Sequence, residues 1–150
     1  MRFAVRSRAV LIALFVAVAS TAGARGAPPP PAPSVETLLA TERTTIDQEI
    51  VYPSGVGKVT AEIITLPRGA STIWHVHPVP MFAYILEGEL LVDYEGIGER
   101  RYRKGDTFVE AIDVPHRGRA VGKGKGKEVK ILVVYAGAVG TANTEPVDED

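Results

Sequence analysis

The sequence predicts an all-β protein, one small barrel or sandwich set behind a leader and a stiff spacer. Three observations point there. Short runs rich in Val, Ile, Thr, Tyr and Phe recur from Thr44 to Tyr135, the residue types that fit a pleated, half-buried surface. Glycine, proline and aspartate clusters punctuate nearly all of them, as turns require. No long helical segment breaks the series, and many short strands at regular spacing argue for a closed or two-sheet β architecture. At 150 residues the chain suits one domain with a real core. It shows no internal repeat and no second domain.

The first 24 residues read as a separate unit. Arg2, Arg6 and Arg8 precede an apolar run from Ala9 to Ala19, and the small residues Ser20 to Ala24 follow. That order is the layout of a secretory signal peptide, and the apolar run is shorter than the about 20 residues that span a bilayer. Cleavage is expected after Ala24, with Ala27 as the alternative. Residues 25–43 form a linker: Ala27–Pro33 (APPPPAP) is a polyproline spacer. Ser34–Arg43 is expected to be a short helix, with Ser34 as its cap and Glu36 near its positive end.

The barrel is expected over residues 44–140. Its strands are Thr44–Tyr52, Lys58–Leu66, Ser71–His77, Met81–Glu87, Glu89–Tyr94, Glu99–Arg103, Thr107–Ala111, Arg117–Val121 and Glu128–Tyr135, with turns at Pro53–Gly55, Pro67–Gly69, Glu95–Gly98 and Lys104–Asp106. Lys123–Lys127 reads as a flexible hairpin connection. Residues 141–150 are polar and acidic and are expected to fray.

Removing the leader takes away three arginines and no acids, leaving 14 basic against 18 acidic residues and a net charge of −4. An acidic mature chain is a poor partner for nucleic acid or anionic membranes, so neither partner is expected, nor stable membrane association after cleavage. The chain has no cysteine, which excludes disulfides, thioether lipid anchors and Cys-based zinc sites. The expected location is periplasmic or secreted.

The chain has only three histidines, and their placement carries the chemistry. His75 and His77 lie two apart in the strand-like GASTIWHVHPVPMFAYILEG, bounded by Gly69 and Gly88. Residues i and i+2 of a strand share a face, so the two imidazoles stand side by side. His116 lies in GDTFVEAIDVPHRGRA, opened by Gly105-Asp106. Three neutral imidazoles suit a divalent transition metal and leave positions open for water or substrate.

These two segments resemble the two motifs of the cupin superfamily. Gly69-x5-His75-x-His77-x3-Met81-x6-Gly88 looks like the first motif, with Met81 where most metal-binding cupins carry a glutamate ligand. Gly105 to His116 looks like the second, with Ala111 in place of the usual proline, Asp113 in place of glycine and Ala120 in place of asparagine. The resemblance implies a single cupin-type barrel, a jelly roll or double-stranded β-helix. It also implies one divalent ion (Fe, Zn, Mn, Ni or Cu) held by His75, His77 and His116. Without the glutamate, the set resembles the three-histidine arrangement of thiol dioxygenases more than that of quercetinases or oxalate-degrading cupins.

Strand parity then predicts an apolar pocket. Ile73 shares the face of the histidine pair; Met81, Ala83 and Ile85 form the inward set of the next strand; Gly118 and Ala120 face in beside His116, while Arg117 and Arg119 face out. Met81 is filler or a soft ligand. No general base stands out, although Glu110 and Asp113 remain open as replacement carboxylates. Trp74 points away from His75 and reads as packing or as a contact in a homodimer. Two functions fit: a metal-dependent enzyme, most naturally an oxygenase of a small organic molecule, or a non-catalytic binding protein for a metal or small ligand.

Overall fold

The computed structural model describes residues 32–121 and 128–147. The expected signal peptide, most of the proline-rich spacer, the Lys123–Lys127 segment and the last three residues lie outside that description. The strands are β1 (Gly57–Leu66), β2 (His75–Val76), β3 (Met81–Glu87), β4 (Glu89–Tyr94), β5 (Gly98–Arg103), β6 (Thr107–Val109), β7 (His116–Val121), β8 (Val129–Ala138) and β9 (Glu145–Pro146). They form two antiparallel sheets, ordered β1-β8-β3-β6 and β5-β4-β7-β2-β9. The architecture is the all-β, two-sheet barrel that the sequence predicts.

Period-2 patterning builds the core. Along β3, Met81, Ala83 and Ile85 are buried and their neighbours less so; along β8 the same holds for Val129, Ile131, Val133 and Tyr135. In the other sheet, Leu90, Val92 and Tyr94 of β4 and Ala120 of β7 turn inward. All of these side chains join one cluster, so each sheet buries the apolar face of the other. Tyr102 of β5 stacks on Phe108 of β6 with centroids 3.7 Å apart, and its hydroxyl bonds Thr45 Oγ1 at 2.5 Å. Between β3 and β4 the chain turns at Gly88, whose φ is +82°. A Cβ there would lie 2.5 Å from the Glu128 carbonyl oxygen, so only glycine fits this corner.

Four elements depart from the sequence reading. Residues 34–43 contain no helix; ten residues are too few to hold a helix without tertiary support, and the segment instead lies near β6, with the Leu38 carbonyl accepting from Thr107 Oγ1 at 2.8 Å. Thr44–Tyr52 is a turn rather than a strand. Thr44 Oγ1 accepts from Gln48 N–H at 3.1 Å, Asp47 sits at φ 70°, and the Gln48 amide pairs with both backbone groups of Ile112. Side-chain bonds of this kind compete with a strand ladder. Ser71–His77 shortens to β2 because its pairing with β7 slips by one residue, from His75↔His116 to an isolated bridge Ser71↔Arg119, and at the slip Thr72 Oγ1 takes the Gly118 N–H at 2.9 Å. Lastly, the tail expected to fray forms β9, which pairs with β2 through His75↔Pro146 and Val76↔Glu145.

Candidate metal centre

β2 and β7 bring the histidines together. His75 pairs directly with His116 across the two strands, and His77 follows one residue after β2. The ring centroids are 5.0 Å apart for His75–His77, 4.5 Å for His75–His116 and 5.0 Å for His77–His116. One donor atom from each lies within 4.8 Å of the others.

The backbone sets which nitrogen faces inward. Nδ1 of His75 lies 2.8 Å from the Ile73 carbonyl, that of His77 2.9 Å from the Asn143 carbonyl, and that of His116 2.8 Å from the Val114 carbonyl. A carbonyl only accepts, so each Nδ1 carries the proton and each Nε2 is left as a free lone pair. His116 Nε2 is fully enclosed and has no partner, the sole such buried side-chain atom among the described residues. A buried polar atom without a partner calls for an explanation. A cation bound between three Nε2 lone pairs supplies one, so the residues present fit a metal of the kind the fold implies.

Burial sets the charge state of the site. Desolvation pushes all three imidazoles below their ordinary value, His77 to about 3, although the carbonyl contacts pull the other way. The rings are therefore neutral at pH 7, as ligands must be.

Of the two carboxylates that the sequence left open, Glu110 is the one that lies beside the histidines. It is 3 % exposed, and its Oε2 lies 4.0 Å from His116 Nε2. Oε1 accepts from the Tyr94 hydroxyl and from the Ala111 N–H. Burial lifts this carboxyl to about 7, while those two donors hold it down. Burial and the neighbouring Glu110 in turn keep the Tyr94 phenol protonated. Glu110 N–H bonds the Met81 carbonyl at 2.9 Å, so a carboxylate enters the site from the strand beside Met81 and not from position 81 itself. Asp113, the other open candidate, is an exposed loop residue at φ 55° and stands outside the cluster.

The histidines open onto a cavity of about 340 Å³. Ile73, Met81, Ala83 and Gly118 line it as parity predicts, and Ile73 is 69 % exposed beside it. Ile85 and Ala120 do not line it. Both face inward, but one strand step further on they are packed into the core cluster beyond the cavity. The sequence reading missed Ile131, Val133 and Tyr135 of β8, together with Thr144 and Pro146 of the tail. The alternation along β8 was a usable signal; the tail offered none. Trp74 is half-buried with the Arg117 guanidinium 4.8 Å above its ring. Glu87 and Glu89 pair with Lys130 and Arg101, away from the cavity.

Comparison with known proteins agrees with this architecture. No curated protein matches the sequence. Among solved structures, the DMSP lyase DddQ from Ruegeria pomeroyi DSS-3 is 27% identical with a TM-score of 0.50, over 59% of this chain and 42% of that one. A cupin-like protein from Thermotoga maritima is 21% identical with a TM-score of 0.50, over 61% and 65%. The oxalate decarboxylase from Lactobacillus farciminis is 18% identical with a TM-score of 0.51, over 59% and 26%. The matched part of this chain thus spans less than two thirds of each of these proteins, and the last two likenesses concern the fold alone. Residues 62–135, which hold all three histidines, match the family described as Cupin domain. This chain carries a small cupin domain.

Proposed function

We propose that the chain is an exported metal-dependent enzyme. It holds one divalent cation at His75, His77 and His116 and acts on a small, largely apolar organic molecule in the adjoining cavity. The observation that carries this reading is that a ring nitrogen from each of the three histidines lies within 4.8 Å of the others, while each Nδ1 is turned to a backbone carbonyl and Nε2 of His116 has no partner. A cation held there supplies Lewis-acid polarisation of a substrate oxygen, and a redox-active one also supplies oxygen chemistry.

The chain's own groups supply the rest. Ile64, Val92, Ile131 and Val133 line the cavity with hydrocarbon and exclude water from a bound molecule. Its volume is at the small end of the range for ligand sites. Glu110, whose Oε2 lies 4.0 Å from His116 Nε2 and which lines the cavity, can take a proton from a substrate C–H or O–H and return it. Tyr94 and the Ala111 N–H fix the carboxylate plane. Glu110 therefore favours a proton-transfer reaction such as an elimination over the oxygenase chemistry that the sequence alone suggests. The 27% identity to a protein named a DMSP lyase is in keeping with that.

Elemental analysis of the native chain, purified without chelator or affinity tag, tests the core of the proposal. About one equivalent of a divalent metal is expected, and His77→Ala should lose it; equal metal in both proteins would remove the site. Dependence of turnover on O₂ would restore the oxygenase reading. Residues 1–24 are proposed to direct export, so the mature chain recovered from a bacterial host should begin at Arg25 by intact mass.

A further inference from the structure

Neither histidine motif accounts for how the His77 ring is held. His75 and His116 are each fixed by the carbonyl two residues before them, so their orientation is local. His77 instead relies on the Asn143 carbonyl, 66 residues away, and Thr144 Oγ1 lies 3.1 Å from the same nitrogen. The segment carrying these acceptors is docked on β2 itself. Pro146 pairs with His75, Glu145 pairs with Val76, and the Val147 N–H bonds the Trp74 carbonyl at 3.0 Å. Thr144 and Pro146 also line the cavity. Five consecutive residues thus touch one candidate ligand, the strand bearing another, and the wall of the pocket.

We infer that Asn143–Val147 is a positioning strap of the metal site, fixing the ring of His77 and covering one side of the cavity. Retention of a cation and its release both depend on the strap being docked. This rests on the reading that the three histidines hold a cation. The physical grounds are two. Without the strap, His77 Nδ1 loses both of its hydrogen-bond partners, the Asn143 carbonyl and Thr144 Oγ1; the terminal torsion of the ring is intrinsically broad, and loss of a partner that orients a metal-bound histidine typically costs about 10–100-fold in affinity. The strap is also held by few bonds: β9 has two residues, and Thr144, Glu145 and Pro146 are all exposed. A segment docked mainly through exposed backbone bonds opens locally at low cost, so it is the natural way out for the ion.

Two variants of the full chain, loaded with Co²⁺, test this. The first deletes residues 143–150. The second combines Val76→Cys and Glu145→Cys, residues directly opposite in the β2–β9 register. Opposed antiparallel positions suit a disulfide, and the chain has no other cysteine. Val76 lies on the strand face opposite His75, so the cross-link leaves the cavity untouched. Affinity is read by chelator competition, release by stopped-flow transfer to chelator, and ligand geometry by the Co²⁺ visible spectrum. The deletion should weaken Co²⁺ about 10–100-fold and alter the spectrum, with the strand signal in circular dichroism retained. The oxidised double-cysteine chain should release Co²⁺ several-fold more slowly than wild type, and reduction should restore the wild-type rate. A folded deletion variant with wild-type affinity and spectrum would overturn the inference. So would an oxidised lock that releases the ion at the wild-type rate, and this arm decides alone if the deletion does not fold. A wild-type chain that takes up no Co²⁺ overturns the metal reading itself, whereas uptake that ignores both variants overturns only the strap.

Discussion

Replacing Glu110 by glutamine should make the metal-free chain more sensitive to mild acid than the wild type. The reason lies in two buried groups with opposite pH responses. His77 is held neutral to about pH 3, against an ordinary value of 6.5. The unfolded chain therefore takes up this proton first, so the contribution is intact above pH 6.5 and is lost as pH falls toward 3. By pH 4.5 the loss amounts to about 3 kcal/mol. Glu110 is raised from 4.5 to about 7. Its contribution is intact below pH 4.5 and is lost as pH rises through 7, so acidification from pH 7.5 to 4.5 returns about 3 kcal/mol. In the wild type the gain at Glu110 opposes the loss at His77 and the further losses at His75 and His116, which burial also holds below their ordinary value. Glutamine keeps an acceptor for Tyr94 and Ala111 but has no proton to gain, so the stability difference between variant and wild type should move by about 3 kcal/mol against the variant over that interval. Urea melts of chelator-treated protein at pH 7.5, 6.0 and 4.5 measure this directly, and every other carboxylate drops out of the comparison. Parallel curves for the two proteins would refute the assignment of a raised carboxyl to Glu110.

The other outcomes follow from features already described. Gly88→Ala puts a Cβ 2.5 Å from one backbone atom and 3.0 Å from another at φ +82°, and should cost about 3 kcal/mol or more in a urea melt; a loss below about 1 kcal/mol would mean the corner relaxes. Tyr94→Phe removes a hydroxyl that donates to Glu110, costing about 1–3 kcal/mol and raising the pH at which the carboxyl takes its proton, which carbon-detected NMR of the side chain can follow. Adding chelator to the native protein should lower its melting temperature, because an ion at 100 times its Kd stabilises by about 2.7 kcal/mol. His77→Ala should ignore the chelator, and an equal shift in both proteins would place the bound metal elsewhere.

Much of this molecule is legible from its sequence because two periodicities do most of the work. Alternation along β3 and β8 is a direct image of burial, and the two-residue spacing of His75 and His77 gives their shared orientation before any fold is known. Parity fails where it is carried past the cavity. Ile85 and Ala120 face the correct way but lie too far along their strands, a distance that alternation cannot encode. Thr44–Tyr52 has strand-like residues, yet Thr44, Asp47 and Gln48 spend their polar groups on a turn. Glu110 could be named as a candidate but not chosen over Asp113, because the choice depends on β6 lying beside β3. The tail was the least legible part: Asn143 contributes a carbonyl, which every residue possesses.

That last point extends to the whole histidine cluster. Each imidazole is steered by a peptide oxygen, with Thr144 Oγ1 as an added side-chain partner of His77, so exchanging the residues at positions 73, 114 and 143 deletes none of the carbonyl contacts. A lineage carrying this centre can vary the identity of those neighbours freely while conserving their spacing. Insertions or deletions of a single residue, above all between Ala138 and Asn143, are the genetic changes that would dismantle it.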